Sequence, residues 1–261
     1  MIDIHCHLLP GVDDGAQDME MTLALIDQGL EQDVDEYVLT PHVLDDFSKE
    51  IDDRHLAVFD EMMEEITKRE LPVTFHIASE IMFQFEVATI QTMTTSTFGN
   101  NGVYFLIEFP FAFFPEKAEE VLFNFQMAGM RPIVAHPERN GGLATEISKI
   151  YSMASRGILF QINARSLVGA GGPQAKRVAK QMIADGVANF VSSDAHDTVN
   201  RPQCLKETYK QICEFTDEET ARRLTIDNPR KAIAGERIVA VQKEYDPLES
   251  LWQRLRRKVW K

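Results

Sequence analysis

Short apolar runs rich in β-branched and aromatic residues alternate with amphipathic helical patterns along almost the whole chain. This alternation constrains the fold most, because strands separated by helices pair in parallel and are covered on both faces. The predicted strands are residues 1–5, 36–40, 73–79, 103–108, 132–135, 158–162 and 188–193. The predicted helices are residues 19–32, 52–69, 115–128, 146–155, 174–185, 205–214 and 217–224, with a short last helix from Asn228. The sequence therefore predicts an α/β protein whose parallel sheet is either a closed barrel or an open, doubly wound sheet.

Every predicted strand ends in a polar or metal-ligating residue, at the edge where both architectures gather functional groups. These residues are His5, His7, His42, Glu80, Glu108, His136, Asn163, Asp194 and His196. Five of the seven histidines of the chain belong to this set, whereas His55 is interpreted as a solvated helix residue and His76 as a core residue. Glu80 and Glu108 follow apolar runs, where an ionised carboxylate is costly unless it is paired or metal-bound.

Imidazoles and carboxylates that converge in this way are stabilised by divalent cations, and a metal-bound histidine is neutral. Side chains alternate along a strand, so His5 and His7 face the same side and can hold one ion together. Asp194 and His196 repeat this spacing, and Asp14 adds a carboxylate from the loop after the first strand. This ligand count is too large for one ion and fits two or three. Ions about 3.5–4 Å apart can generate hydroxide and hold both oxygens of an in-line displacement at phosphorus.

Two arginines follow closely behind these ligands. Arg139 comes three residues after His136, and Arg201 comes five residues after His196. A guanidinium group binds phosphate oxygens in a bidentate manner, although either arginine could instead pair with a carboxylate at the rim.

Composition excludes several classes of function. With 27 Lys+Arg against 41 Asp+Glu the net charge is −14, which opposes binding to nucleic acid. No apolar run approaches the roughly 18 residues of a transmembrane helix, and the N-terminus does not resemble a signal peptide, so we expect a cytoplasmic protein.

The three cysteines form no CxxC pair, which argues against a disulfide framework or a thiolate zinc site. A cysteine-based tyrosine phosphatase needs an arginine six residues after its nucleophile. The three corresponding positions here are Val12, Lys210 and Glu219. Cys6 lies between two predicted ligands, so the period of two points it away from the metals and into the core.

The joint motif set resembles the PHP (polymerase and histidinol phosphatase) superfamily. It consists of His5-x-His7, Asp14, His42, Glu80, Glu108, His136 with Arg139, and Asp194-x-His196 with Arg201. More narrowly, it is similar to the manganese-dependent protein-tyrosine phosphatases of bacterial capsule and exopolysaccharide operons, the CpsB/CapC group. The opening Met-Ile-Asp-Ile-His-x-His and the later Ile-Asp-Asn-Pro-Arg-Lys at 226–231 are similar to that group's signatures. Aspartate at position 14 and glutamate at position 108 favour the tyrosine-phosphatase branch, whereas the segment 42–51 departs from the group's pattern.

The resemblance implies a fold and a set of ligands. The fold is a distorted seven-stranded (β/α)7 TIM-like barrel, the PHP fold, over residues 1–240. The first ion is held by His5, His7, Glu80 and Asp194; the second by Glu80, Glu108 and His136; the third by Asp14, His42 and His196. Arg139 and Arg201 bind phosphate and stabilise its developing charge. The family favours Mn²⁺, two or three ions, although this ligand chemistry also suits iron or zinc.

The expected reaction is hydrolysis of phosphotyrosine on a protein by direct attack of metal-bound hydroxide. The resemblance implies that the substrate is the tail of an autophosphorylating tyrosine kinase that controls capsule or exopolysaccharide synthesis. Asp197 is a candidate general acid. The alternatives are a PHP phosphatase of a small phosphomonoester such as histidinol phosphate, and a non-catalytic scaffold that has kept the fold.

Residues 241–261 are predicted to form a basic amphipathic tail. Residues 249–261 carry five Lys+Arg and one Glu, and Leu248, Trp252, Leu255 and Val259 would share one helix face. The favoured interpretation is a terminal helix packed on the acidic domain, and the alternative is peripheral contact with an acidic membrane surface or a partner.

Overall fold

The computed structural model describes residues 1–44, 47–83, 90 and 92–239. The strands in these ranges are β1 (Ile2–Cys6), β2 (Glu36–Leu39), β3 (His42–Val43), β4 (Thr74–Ile77), β5 (Glu80–Met82), β6 (Tyr104–Glu108), β7 (Arg131–Ala135), β8 (Leu159–Asn163) and β9 (Phe190–Ser192). They form a three-stranded sheet of order β1-β2-β4 and a six-stranded sheet of order β3-β5-β6-β7-β8-β9. Every pairing between them is parallel, which confirms the predicted α/β class with parallel sheets.

The predicted count of seven strands is wrong for the described residues, because two short strands, β3 and β5, follow the second and third predicted runs and were not predicted. An interruption at Thr40-Pro41 separates β2 from β3, since proline has no backbone N–H to give to a sheet. An interruption at Ala78-Ser79 separates β4 from β5. Each interruption falls just before a predicted metal ligand and moves the following strand from one sheet to the other.

The helices are α1 (Met19–Glu31), α2 (Lys49–Lys68), α3 (Ala118–Met127), α4 (Gly141–Thr145), α5 (Ile147–Ser155), α6 (Ala164–Val168), α7 (Gly172–Ala184), α8 (Leu205–Phe215), α9 (Glu218–Arg222) and α10 (Asn228–Ile233). The side chains of Asp18, Ser48 and Asp217 cap α1, α2 and α9 by accepting a hydrogen bond from a backbone N–H of the first turn. No described helix is long and apolar enough to cross a membrane.

The strands are buried on both faces. In β6, Phe105 and Ile107 pack into a cluster shared with the helices, whereas Tyr104 and Leu106 belong to a second cluster. The second cluster draws from both sheets and consists of Ile2, Ile4, Val38, Ala78, Phe98, Tyr104, Leu106, Ile133, Ala135, Leu159, Phe190, Ala232 and Ile238. Because side chains alternate along a strand, Glu108 lies on the same face of β6 as Leu106. The same face that is apolar along the strands is therefore polar at their carboxyl ends.

Candidate metal centre

The nine predicted ligands converge at the carboxyl ends of the strands. His5 lies in β1, His42 begins β3, Glu80 begins β5 and Glu108 ends β6. His7 follows β1, and His136 follows β7. Asp194 and His196 follow β9, and Asp14 lies in the loop before α1. Of the nine side chains, only Asp14 is largely exposed, at 63%, and His42 is partly exposed, at 16%. The other seven are buried.

Glu80 is the centre of the cluster. Its Oε2 lies 3.2 Å from Nε2 of His5, 3.3 Å from Nε2 of His7 and 3.0 Å from Nδ1 of His42. Its Oε1 lies 3.0 Å from Nε2 of His136. One carboxylate is thus within reach of four imidazoles, which is the position required of a ligand that bridges two ions.

Asp194 lies on the side of His5 and His7. Its Oδ1 is 3.6 Å from Nε2 of each of these histidines. The two Nε2 atoms are themselves 3.2 Å apart. Of the four residues predicted to hold the first ion, His5, His7 and Glu80 have ligand atoms all within 4.8 Å of one another, and Asp194 approaches the two histidines.

The remaining ligands flank this point on two sides. Oδ1 of Asp14 lies 3.4 Å from Nε2 of His42 and 3.3 Å from Nε2 of His196. Glu108 approaches Nε2 of His136 at 3.6 Å and Nδ1 of His42 at 3.9 Å. Three groups have ligand atoms all within 4.8 Å of one another: His7, Asp14, His42 and His196; His5, His7 and Glu80; His42, Glu80 and Glu108.

Two residues that the sequence analysis did not select orient the first two histidines. Nδ1 of His7 donates to Oδ2 of Asp13 at 2.7 Å, and Nδ1 of His5 lies 3.0 Å from Oε1 of Gln161. With Nδ1 engaged, Nε2 of each ring is left to face the centre, as a metal-ligating histidine requires. A sequence signal existed for Gln161, since a glutamine is unexpected within the apolar run of β8.

Local backbone geometry also directs ligands into the centre. His136 and Asp194 follow their strands with φ of 31° and 54°, in the left-handed region that non-glycine residues rarely adopt. Gly15 allows the loop of Asp14 to approach β1, because a Cβ there would lie 2.2 Å from the backbone oxygen of His7.

Both arginines lie at the centre and share Asp194. Arg139 donates from Nη1 to Oδ2 of Asp194 at 2.9 Å, and Arg201 donates from Nη2 to Oδ1 at 2.9 Å. Arg201 also approaches Asp14, at 3.3 Å. Each arginine thus pairs with a carboxylate of the cluster and keeps other donors, including the unpartnered Nε of Arg201.

The pKa shifts show how strongly these charges interact. Burial lowers the pKa of His7, but hydrogen bonds and charge from Asp13 and Glu80 outweigh it and raise this pKa to about 10. Burial also lowers the pKa of His136, but Glu80 and neighbouring carboxylates outweigh this effect and raise the pKa to about 9. Burial would raise the pKa of Glu80, yet the surrounding imidazoles hold it well below its usual value. Burial beside His7 lowers the pKa of His196 to about 2.

The donor set fits divalent cations. Among the buried polar atoms of the cluster, Nδ1 of His42, Oε2 of Glu80 and Nε2 of His196 make no hydrogen bond of good geometry with the described residues, although each lies within ion-pair distance of an oppositely charged group. Unsatisfied buried polar atoms are costly, and all three belong to the cluster, so a shared cation would satisfy them together. Imidazoles and carboxylates beside two arginines, at the carboxyl ends of parallel strands, are typical of a metal-dependent hydrolase of phosphate esters.

The chain belongs to the CpsB/CapC family of capsular polysaccharide synthesis, whose family model matches residues 1–234. The tyrosine-protein phosphatase YwqE of Bacillus subtilis (strain 168) is 32% identical over 201 residues, which cover 77% of this chain and 79% of YwqE. A crystal structure from work on YwqE of Bacillus subtilis and CpsB of Streptococcus pneumoniae, unique metal-dependent tyrosine phosphatases, matches with a TM-score of 0.88 at 27% identity. It covers 94% of this chain and 99% of its own. The family membership predicted from the motifs is confirmed.

A more distant structure shares the fold alone. Histidinol phosphate phosphatase from Lactococcus lactis, in complex with zinc, L-histidinol and phosphate, matches with a TM-score of 0.54 at 10% identity. The match covers 86% of this chain and 94% of that one.

Proposed function

We propose that this protein hydrolyses phosphotyrosine on proteins by metal-dependent catalysis. The observation that carries the proposal is the pair of arginines, Arg139 and Arg201, held on Asp194 at the edge of the imidazole–carboxylate cluster. Membership of a family with metal-dependent tyrosine phosphatases among its solved structures supports the choice of substrate.

The proposed ligands of the first ion are His5, His7, Glu80 and Asp194, and the convergence of their ligand atoms supports this grouping. Glu80 would also serve a second ion with Glu108 and His136, and Asp14, His42 and His196 would hold a third. We propose Mn²⁺ as the native metal, because oxygen and imidazole ligands without thiolate suit it, although iron and zinc share this chemistry. Bound ions would lower the pKa of a coordinated water and neutralise charge on the phosphoryl group.

The side chains of the protein supply the remaining parts of the reaction. Arg139 and Arg201 would bind the phosphoryl oxygens and stabilise the charge that develops on them. The leaving tyrosine has a pKa near 10, so a strong general acid is less necessary than for an alkyl phosphate. Asp197, the candidate acid, instead accepts hydrogen bonds from the backbone N–H groups of Val199, Asn200 and Arg201. These bonds outweigh the effect of burial and lower its pKa, so Asp197 caps this turn as a carboxylate.

The test is a comparison of initial rates after chelator treatment and restoration of Mn²⁺. The substrates are a phosphotyrosyl peptide, the matching phosphoseryl peptide and histidinol phosphate. We expect a preference of about 100-fold or more for the phosphotyrosyl peptide, roughly 2.7 kcal/mol in the transition state. A preference for histidinol phosphate would instead assign the protein to the small-molecule phosphatases that share this fold.

Substitution of Arg139 tests directly whether the arginines at the centre are needed for turnover. Arg139→Ala should lower kcat about 100- to 1000-fold, the usual loss when a preorganised donor to the transition state is removed. Arg156→Ala is the matched control, because Arg156 is exposed and pairs with Glu119 on α3. Full turnover by the Arg139 variant would contradict the proposal.

We also propose that the two sheets form one distorted barrel. Backbone hydrogen bonds between the edges of the sheets support this proposal. Beside β1 and β9, Asp194 N–H donates to the backbone oxygen of His5 at 2.8 Å, and His7 N–H donates to that of Ala195 at 2.9 Å. At the other junction, Ala78 N–H donates to the oxygen of Leu39 at 2.8 Å, and Glu80 N–H donates to that of Pro41 at 3.1 Å.

We further propose that the substrate is an autophosphorylating tyrosine kinase of capsule or exopolysaccharide synthesis, which the family's pathway supports. The predicted tail at 241–261 lies outside the described residues, and its role stays a prediction. Deletion of residues 249–261 tests it: co-sedimentation with acidic liposomes that is unchanged by the deletion would remove the membrane-contact interpretation.

A further inference from the structure

Phe111 is a half-exposed aromatic residue beside the groups proposed to bind phosphate. Its ring centroid lies 5.6 Å from that of His136, with the two planes 16° apart. Cζ of Arg139 lies 5.2 Å from the same centroid. The residue is nevertheless 52% exposed, so about half of its surface is open to a ligand at the mouth of the site.

The loop that carries Phe111 is fixed to the turn that carries His136 and Arg139. Nδ2 of Asn140 donates to the backbone oxygens of Pro110 at 2.7 Å and of Phe113 at 2.9 Å. Gly141 N–H donates to the backbone oxygen of Phe111 at 2.7 Å. Gly141 permits this approach, because a Cβ there would lie 2.9 Å from a backbone oxygen of the loop. The ring is therefore held in position relative to the arginine before any ligand binds.

Packing of the core does not explain this position. Phe109 and Phe114 of the same segment pack against each other with ring centroids 4.8 Å apart. Phe111 is turned from this pair toward the metal centre and leaves apolar surface in water, which is unfavourable unless a ligand covers it. Metal binding and phosphate binding at the centre need only the imidazoles, carboxylates and arginines, so an aromatic ring there suits the organic part of a substrate.

We propose that Phe111 is the specificity-determining residue for aryl phosphates, packing against the phenyl ring of phosphotyrosine. The inference rests on the proposed function and names the side chain that selects its substrate. Only one oxygen atom separates phosphorus from the phenyl ring of a phosphotyrosine, so a phosphate bound by Arg139 brings that ring close to Phe111. Aromatic rings with centroids about 4.5–7 Å apart attract each other in offset-stacked or edge-to-face geometry. An alkyl phosphate would leave Phe111 without this contact.

Two phosphonates that share a headgroup separate the ring contact from phosphate binding. Benzylphosphonate, in which a methylene group replaces the bridging oxygen, and methylphosphonate are not hydrolysed, and their affinities for the full-length, Mn²⁺-loaded protein can be measured by calorimetry. The variants are Phe111→Ala, Phe111→Leu and Phe111→Trp. Phe123→Ala is the control, since Phe123 on α3 is also 52% exposed.

Phe111→Ala is expected to weaken benzylphosphonate binding by about three- to tenfold and to change methylphosphonate binding less than about twofold. Phe111→Trp should retain the preference for the benzyl compound, Phe111→Leu should lose part of it, and the Phe123 variant should behave as wild type. Equal weakening of both phosphonates would overturn the inference, because Phe111 would then act by positioning Arg139 or His136. Wild-type protein that does not prefer benzylphosphonate would also overturn it. Failure of the proposed function is a separate result, namely that wild-type protein releases no phosphate from the phosphotyrosyl peptide.

Discussion

Metal binding to this centre is expected to release about two protons per protein at pH 7.5. A metal-ligating imidazole must be neutral, so any proton on a ligand is displaced when the ion binds. The pKa of His7 is raised to about 10 and that of His136 to about 9 by the carboxylates around them. Both rings are therefore almost fully protonated in chelator-treated protein at pH 7.5, and both protons must leave.

The pH dependence follows from the same two groups. Each displaced proton lowers apparent affinity about tenfold for every pH unit below the pKa, so two protons give about 100-fold per unit. Affinity for Mn²⁺ should thus rise steeply with pH and level off above pH 9 to 10. The raised pKa values also stabilise the metal-free folded state below about pH 6.5, the ordinary value of histidine, and this stabilisation is lost as pH rises through 9 and 10.

Calorimetry in two buffers of different ionisation enthalpy, such as Tris and HEPES, gives the number of protons released. Asp13→Asn removes one of the two carboxylates that raise the pKa of His7 and should reduce the release toward one proton. Asp60→Asn, on the exposed face of α2, is the control and should not change it. Release close to zero in wild-type protein, or no response to Asp13→Asn, would refute this account of the charges in the centre.

Three further changes test other parts of the structure. Gln161→Leu removes the acceptor for Nδ1 of His5, so Mn²⁺ affinity measured by calorimetry should fall about 10- to 100-fold, whereas Gln211→Leu on α8 should leave it unchanged. Burial lowers the pKa of His55 to about 4, so the folded state favours the neutral ring. The resulting contribution to the free energy of unfolding is present above about pH 6.5 and is lost as the pH falls from there toward 4. His55→Leu should therefore reduce the loss of unfolding free energy between pH 7 and pH 5 by about 2 kcal/mol, as measured by urea denaturation. Burial raises the pKa of the Cys6 thiol well above its usual value, so Cys6→Ala should retain phosphotyrosine turnover; its loss would instead support a thiolate mechanism.

The convergence of the proposed ligands could be predicted from the sequence because their positions follow from simple geometry. Parallel strands place their carboxyl ends together, and the period of two separates the inward-facing His5 and His7 from Cys6 between them. The structure bears this out for Cys6, which is fully buried with its Sγ 3.6 Å from the backbone oxygen of Val38. The short strands β3 and β5 were not predictable in the same way, because each depends on the neighbouring strand with which it pairs.

Residues outside this periodic pattern were predicted less well. His55 was interpreted as solvated, yet it is 3% exposed, because α2 buries it together with Asp52. Asp52 accepts hydrogen bonds from the backbone of Thr94 and Thr95, which holds that segment against the helix. His76 is only partly buried and pairs with Glu36 at 3.1 Å, so it is not the core residue predicted. Each outcome depends on contacts between segments far apart in sequence, to which local periodicity is not sensitive.

Asp194 connects the two parts of the centre. Its Oδ1 faces the histidines proposed to hold the first ion, and both of its oxygens accept hydrogen bonds from the arginines proposed to bind phosphate. In a protein with a net charge of −14, a phosphate dianion is attracted only where cations are concentrated, so we expect these guanidinium groups to be held beside the proposed metal ions. A carboxylate buried between them does this, since it fixes both side chains and leaves further donors of each free for the substrate. We therefore expect metal binding and phosphate binding to depend on the same buried carboxylate.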